Sequence, residues 1–593
     1  MGLQPPSLVK TIDSIVAVRD TVLMGTRSGE VITAKYTAGS VSVDCEKFGT
    51  MPASVSCSYQ DGVTHPTILV CCDNSLVSVS LEQHGSRRDD AVRLKTKTRV
   101  WPVDISRPDA TPPPVQVAKA LDMPPEDGTI PILMVSGSRL LLAELNEQPG
   151  PVHRSIPVDG SPNKLIYCQF TQCLVAAVNR PSGPTLAFIN PDTGEDMGRP
   201  TDKNDQPLVC IPGLGTEGDR IMCLAEWNYR KPSQVGQASQ VWNYLLVTTR
   251  SGRLIVITAD KVAAQPGGPT TAIRYSFRFK KEVREPIYSV VGHGDCLAYC
   301  AGQTIHWEVL GADRRLKPLK SFPISSPATS LRISHSKLVA LTANDSLLVL
   351  DNRDTAEQET KLRHVDPWRR NGVDAIEVAG PRLDDPKHCV HLVADRERGI
   401  AGLWVPWQSQ DRECEVVLEA ELPASVRRFA RGRTRPLWEQ RLRKPRYRRL
   451  PATVDDAEVL GVSLDGSLRQ FSLLGVEAWR VLRFVQNLAR GSLERLGDGE
   501  SEQQRQPAGD EDPEPRLAHG SEMHVDGDLL RRCLEERALE QLVVRQPHVS
   551  RFVELLGGLD DGQHTAGLAA EGDHGRYFQL AYDVLEYYLA PAF

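Results

Sequence analysis

The feature that most constrains what this chain can fold into is a hairpin that it repeats. Each copy has an apolar run, a short turn of Gly, Asp, Asn or Ser, and a second apolar or alternating run. Copies read VLMGTRSGEVITAKY (22–36), TILVCCDNSLVSVSL (67–81) and PILMVSGSRLLLAEL (131–145). They continue as LVAAVNRPSGPTLAFIN (174–190), YLLVTTRSGRLIVIT (244–258) and CLAYCAGQTIHWEVL (296–310). The last three are KLVALTANDSLLVLD (337–351), CVHLVADRERGIAGLWV (389–405) and EVLGVSLDGSLRQFSLL (458–474). β-Branched and aromatic residues suit a pleated, half-buried surface, and the polar turn supplies the positive φ that a tight reversal needs. The turn Ser28-Gly29 returns as Ser251-Gly252 and Asp465-Gly466.

Such copies recur at roughly the interval of a four-stranded blade with variable loops. The set is too large for one β-sandwich, although a string of unrelated sandwiches is a competing arrangement. The reading is all-β with an α-helical C-terminus: a seven-bladed WD40-like β-propeller, preceded by part of a second propeller and followed by a small helical domain. The Trp-Asp and Gly-His pairs of regular WD repeats do not recur, so the propeller is divergent.

At 593 residues the chain exceeds what one core serves, and the expected divisions are 1–150, 151–475 and 476–593. In 476–490, Trp479, Leu482, Val485 and Leu488 share one helical face. Residues 491–520 are rich in Gly, Pro and charge and read as a disordered insertion. After it, Asp526 and Asp528 are suited to start a helix. A final stripe, Phe578, Tyr582, Leu585 and Tyr588, is expected to dock the helices on the last propeller.

Composition excludes several classes. A net charge of -6 argues against a globally basic nucleic-acid binder. No run of apolar residues is long enough for a membrane span, and the first residues lack the pattern of a signal peptide or a myristoylation site. The 13 cysteines form no C-x-x-C and fall mostly in apolar strand runs, where a thiol behaves as a small hydrophobe. A reducing compartment fits best.

Motifs for catalysis break where their chemistry needs them. Gly213-Leu-Gly215-Thr-Glu-Gly218 has the form of a dinucleotide loop, but the residues after it read as a strand instead of the helix N-terminus a pyrophosphate requires. Gly461-Val-Ser463-Leu has Asp465 where a nucleophile elbow needs Gly. No Gly-Lys pair exists for a P-loop, and His388 and His391 have no third metal ligand near them in sequence. The expectation is a chain without catalytic residues, cofactor, metal or small-molecule substrate.

One segment, 427–449, stands apart. Eleven of its residues are Lys or Arg, Glu439 is its one acid, and Phe429, Trp438 and Tyr447 are interleaved. Guanidinium groups bind phosphate and rings stack on bases, so nucleic-acid contact is one reading. A nuclear-import signal at Arg441, Arg443, Lys444, Arg446, Arg448 and Arg449 is a second, and a solvated loop is a third.

The order of segments resembles the C-terminal region of the CPSF-A family of large three-propeller proteins. Its members include the large subunit of the damaged-DNA-binding complex, the largest cleavage-and-polyadenylation specificity subunit and the propeller subunit of splicing factor 3b. The matching pieces are VHRSIPVDGSPNKLIYCQFTQCLVAAVNR, GDRIMCLAEW, NYLLVTTRSGRLIVI, KKEVREPIYSVVGHGDCLAYCAGQTIHWEV and VDGDLLRRCLE. The last holds the tail motif Asp526, Gly527, Asp528 and Leu529. The resemblance implies that 1–150 are the last blades of the family's second propeller and 151–475 its third, in a shortened chain. It also implies a nuclear scaffold whose partners are subunits of a repair, ubiquitin-ligase or pre-mRNA-processing complex, with DNA or RNA as a candidate partner and no membrane.

Overall fold

The computed structural model of the chain describes residues 10–37, 40–59, 66–81, 94–104, 113–121, 129–146, 156–191, 193–202, 206–208, 211, 213–214, 217–230, 241–263, 271–311, 315–351, 360–378, 389–407, 409, 412–431, 459–497, 523–559 and 574–589. Every hairpin read from the sequence is an antiparallel strand pair, and each lies in a different sheet. In each sheet the hairpin supplies the second and third strands of the run. Several of those strands are covered on both faces: Cys296–Ala301, Leu347–Asp351 and Thr67–Cys72 are buried at every position. An unbroken apolar run is what double coverage demands.

The chain divides into two compact units, one running through Pro157 and the other beginning at Val158. The first holds sheets 1 (12–47), 2 (54–100) and 3 (117–145). Sheet 2 packs on sheet 1 through Leu23, Val31, Ile68 and Val70, and on sheet 3 through Leu69, Leu76, Ile132 and Met134. The far faces of the stack stay uncovered. Ile15, Val22, Tyr36, Val41 and Val43 are exposed on sheet 1, and Val117, Leu140 and Leu142 on sheet 3.

The second unit holds sheets 4 (161–189), 5 (198–200 and 221–282), 6 (287–323), 7 (328–365), 8 (372–421) and 9 (426–471). The described residues thus form six sheets where the sequence reading expects seven blades. All are antiparallel runs, except that the short strand Gly198–Pro200 joins sheet 5 in parallel. Each sheet packs face to face on the next through its own cluster of buried side chains. The first strand of each lies beside the first strand of the next.

These first strands share a feature that the hairpin pattern does not reveal. In each of the six sheets one extra residue interrupts the register, at the second residue of the strand in five of them and at the third in sheet 4. The extra residues are Asn163, Met222, Tyr288, Thr329, Val373 and Arg427. Sheet 1 does the same at Asp13. A bulge adds local twist and re-aims the side chains beside it, so its recurrence marks a structural repeat.

The predicted turns form for the expected reason. Gly29, Gly252 and Gly466 have φ of 79°, 83° and 84°. At Gly252 a Cβ would also lie 2.3 Å from the Val283 carbonyl oxygen. The Thr26 and Thr249 hydroxyls accept the backbone N–H of Glu30 and Arg253 across these turns, at 2.9 and 3.2 Å.

Among the described residues five helices follow: α1 (Val476–Gly497), α2 (Gly527–Glu535), α3 (Leu539–Leu542), α4 (Gln546–Leu559) and α5 (His574–Leu589). Helix α1 runs seven residues into the segment 491–520 that the sequence reading assigns to the insertion. The α5 stripe also departs from expectation. Tyr582 and Leu585 are buried, with Phe578 and Tyr588 against them, in a core made by the helices themselves together with Ala478, Val481, Leu482 and Val485. The bundle therefore has its own core, and the stripe is spent inside it. Among the described residues no helix is long and apolar enough to cross a membrane.

Candidate functional site

The six basic residues Arg441, Arg443, Lys444, Arg446, Arg448 and Arg449 lie outside the described residues, as do Trp438 and Tyr447. The start of their segment is described, in the strand Val426–Arg431 of sheet 9. Phe429 is buried there and meets Phe471 edge-on at 5.6 Å. It is a core ring, which corrects the reading of it as a platform for bases. Arg428 faces the buried carboxylate of Asp374 at 3.4 Å, and Arg431 donates to the Glu377 carbonyl.

The tail motif is built into the structure. Asp526 caps α2, accepting from the N–H groups of Asp528 and Leu529 at 3.0 and 3.3 Å. Its own N–H donates to Oε1 of the fully buried Gln486 on α1 at 2.6 Å. Asp528 points the other way and pairs with Arg469 of sheet 9 at 2.8 Å. Gly527 starts α2 with Leu589 of α5 as the nearest neighbour of its missing Cβ, and Leu529 is half-buried. Asp526 and Asp528 thus tie α2 to α1 and to the last sheet.

The bulged first strands bring charge together. Arg332 of sheet 7 and Arg428 of sheet 9 both approach Asp374 of sheet 8, at 3.5 and 3.4 Å. Asp374 also accepts the Phe429 N–H at 2.7 Å. Burial pushes the Arg332 pKa below its ordinary value, against the pull of Asp374. Burial raises the Cys223 thiol of sheet 5, which feels the charges of Lys164 on sheet 4 and Arg428 on sheet 9.

A cavity of about 330 Å³ opens between sheets 7, 8 and 9, lined by Ser330, Arg332, Glu377, His391 and Arg431 among others. His391 lies opposite Glu377 in the strand register, and Glu377 is hydrogen-bonded to His335 of sheet 7. The fold therefore supplies His391 with the neighbours that its sequence surroundings lack. His388, the other histidine of that pair, lies outside the described residues. Burial would raise the Glu377 pKa, but the Ser334 hydroxyl, His391, His335 and the Cys389 thiol hold it below the ordinary value. Burial lowers His391 to about 4. The signal that could have found this group is pairing across strands and sheets, which a search for close spacing does not test.

Most of the other cysteines are buried in apolar surroundings. None of the twelve described ones is in a disulfide, and burial pushes Cys71, Cys168 and Cys414 up to about 12. The run from Gly213 to Gly218 leads into the strand Ile221–Arg230, so no helix N-terminus follows it. Ser463 ends a sheet 9 strand, followed by a turn to the next strand instead of a helix.

No protein-family model matches the chain, and no curated protein matches it.

Proposed function

We propose that the chain is a non-enzymatic β-propeller scaffold of a nuclear multi-subunit assembly, a divergent relative of the CPSF-A family. The observation that carries this reading is the repeated first strand. Six consecutive sheets carry a bulge at the second or third residue of the first strand, each packs on the next, and their first strands run side by side. That is how blades stack around an axis. A seven-bladed ring needs one blade more than the six sheets described.

The three-sheet unit supports the reading of 1–150 as the last blades of another propeller. A propeller blade has both faces covered, and sheets 1 and 3 each leave an apolar face open. The Asp526–Leu529 tether fits the family's tail motif with a structural role. Propellers present broad faces and clustered loops, which suits binding to several protein subunits.

The test is purification of the tagged chain from nuclear extract with identification of what accompanies it. Stoichiometric subunits of a repair, ubiquitin-ligase or pre-mRNA-processing complex are expected, and recovery of the chain alone would count against the scaffold. A second reading is direct nucleic-acid binding through 427–449, favoured by its eleven basic residues. It predicts affinity that falls steeply with salt and is lost when the six residues from Arg441 to Arg449 are neutralised. A flat salt dependence would sink it.

A further inference from the structure

Sheets 7 and 8 meet at a group of side chains that the scaffold reading does not use. His335 sits at the tip of the turn joining Ala328–Ser334 to Lys337–Thr342, where it and Ser336 have φ of 46° and 62°. The turn brings its Nε2 to 3.1 Å from Glu377 Oε1, on the first strand of sheet 8. Glu377 pairs in register with His391 on the next strand. Cys389 precedes His391 by two residues, the spacing that returns an extended chain to the same face. One ligand atom from each of His335, Glu377 and Cys389 lies within 4.8 Å of the others. Independently, the His391 ring is only 3% exposed and its Nε2 has no hydrogen-bond partner among the described residues. Its ring and that of His335 both pack on Trp407, at 6.0 and 4.8 Å.

We propose that His335, Glu377, Cys389 and His391 form a zinc site that pins sheet 7 to sheet 8. Ligand atoms around tetrahedral zinc stand about 3.3–3.8 Å apart, given bonds of about 2.0–2.3 Å. The ligand atoms of His335, Glu377 and Cys389, within 4.8 Å of one another, stand close to that spacing, and His391 would complete the set by turning its Nε2 toward them, with the metal replacing the His335–Glu377 hydrogen bond. Thiolate, imidazole and carboxylate together suit zinc, whereas magnesium and calcium take oxygen ligands. A buried imidazole nitrogen left without a partner is costly, and coordination would satisfy it.

Charge balances as well. Zinc with one thiolate and one carboxylate is formally neutral, so the neighbouring guanidinium groups meet no added positive charge. Arg332 is already paired with Asp374, and Arg431 donates to the Glu377 carbonyl. Binding releases the Cys389 thiol proton to solvent, and each histidine keeps its proton on the nitrogen that does not bind. The site does not depend on what the scaffold binds.

The experiment is titration of the full, chelator-stripped chain with Co²⁺ as a spectroscopic stand-in and with Zn²⁺. One equivalent of Co²⁺ is expected to give a thiolate-to-cobalt charge-transfer band with tetrahedral visible bands, and Zn²⁺ is expected to raise the thermal midpoint. Cys389→Ser should abolish the charge-transfer band while circular dichroism shows the fold kept. His335→Ala, in an accessible turn, should weaken zinc binding at least about tenfold. Absence of the band in the parent chain overturns the proposal. So does a band and a zinc-induced shift that survive both substitutions, since the cation would then be held elsewhere.

Discussion

A Cβ added to Gly292 would lie 2.3 Å from Cδ1 and 2.4 Å from Cγ of Trp227. Trp227 is wholly buried, and its indole donates to the Gly294 carbonyl at 2.9 Å. The ring has nowhere to retreat, so the glycine is there for space. Gly292→Ala is expected to destabilise the second unit by about 1–3 kcal/mol through overpacking. Urea denaturation should show a lower midpoint at an unchanged slope. Equal midpoints would mean that sheets 5 and 6 separate more easily than their packing implies. The sequence displays VVGHGDC without its reason, because the partner of Gly292 is 65 residues earlier in the chain.

At the scale of elements, two ties differ in their response to solvent. Asp351 of sheet 7 binds Lys337 and Arg363 on the strands either side, at 2.7 and 2.9 Å. Burial would raise its pKa, but Arg363 and Lys337 outweigh it, and the carboxyl sits below its ordinary 3.8. A depressed folded-state pKa contributes stability that is present above the unfolded value and is lost as pH falls through the folded one. Asp351→Asn should therefore lower the melting temperature at pH 7 and weaken its fall below about pH 4, measured by calorimetry over an acid series. The α2 cap is a tie of another kind. Asp526→Ala removes the acceptor for two N–H groups and should cost about 1 kcal/mol, read as faster amide exchange in α2. Loss of the cap with no change in exchange would mean that Gln486 and Arg469 hold the helix start unaided.

The central hairpins are legible because each joins two apolar or alternating runs through a polar turn, and the strands covered on both faces are apolar without a break. The first strands are not, since the residues just after their bulges are Lys164, Cys223, Ser289, Ser330, Asp374 and Arg428, a set with no shared hydropathy. Outer strands such as Leu316–Pro323 alternate too weakly to read. The helical ends were visible as stripes, yet what each stripe meets is a tertiary fact, and α5 packs within the bundle. The candidate site was hidden for the same reason. His335 and Glu377 are 42 residues apart and meet only when sheets 7 and 8 stack.

For the whole molecule, the account rests on the sheets of the second unit being blades around one axis. Stacking alone is compatible with an open row, whereas a ring brings the first strand of sheet 4, Ser161–Cys168, back toward that of sheet 9, Val426–Arg431. A cryo-electron-microscopy reconstruction of the chain with its purified partners tests this most directly. The account predicts one ring in which Lys164, Cys223, Arg332, Asp374 and Arg428 line a common axial wall. An open stack, or sheets 4 and 9 at opposite ends of a row, would contradict it.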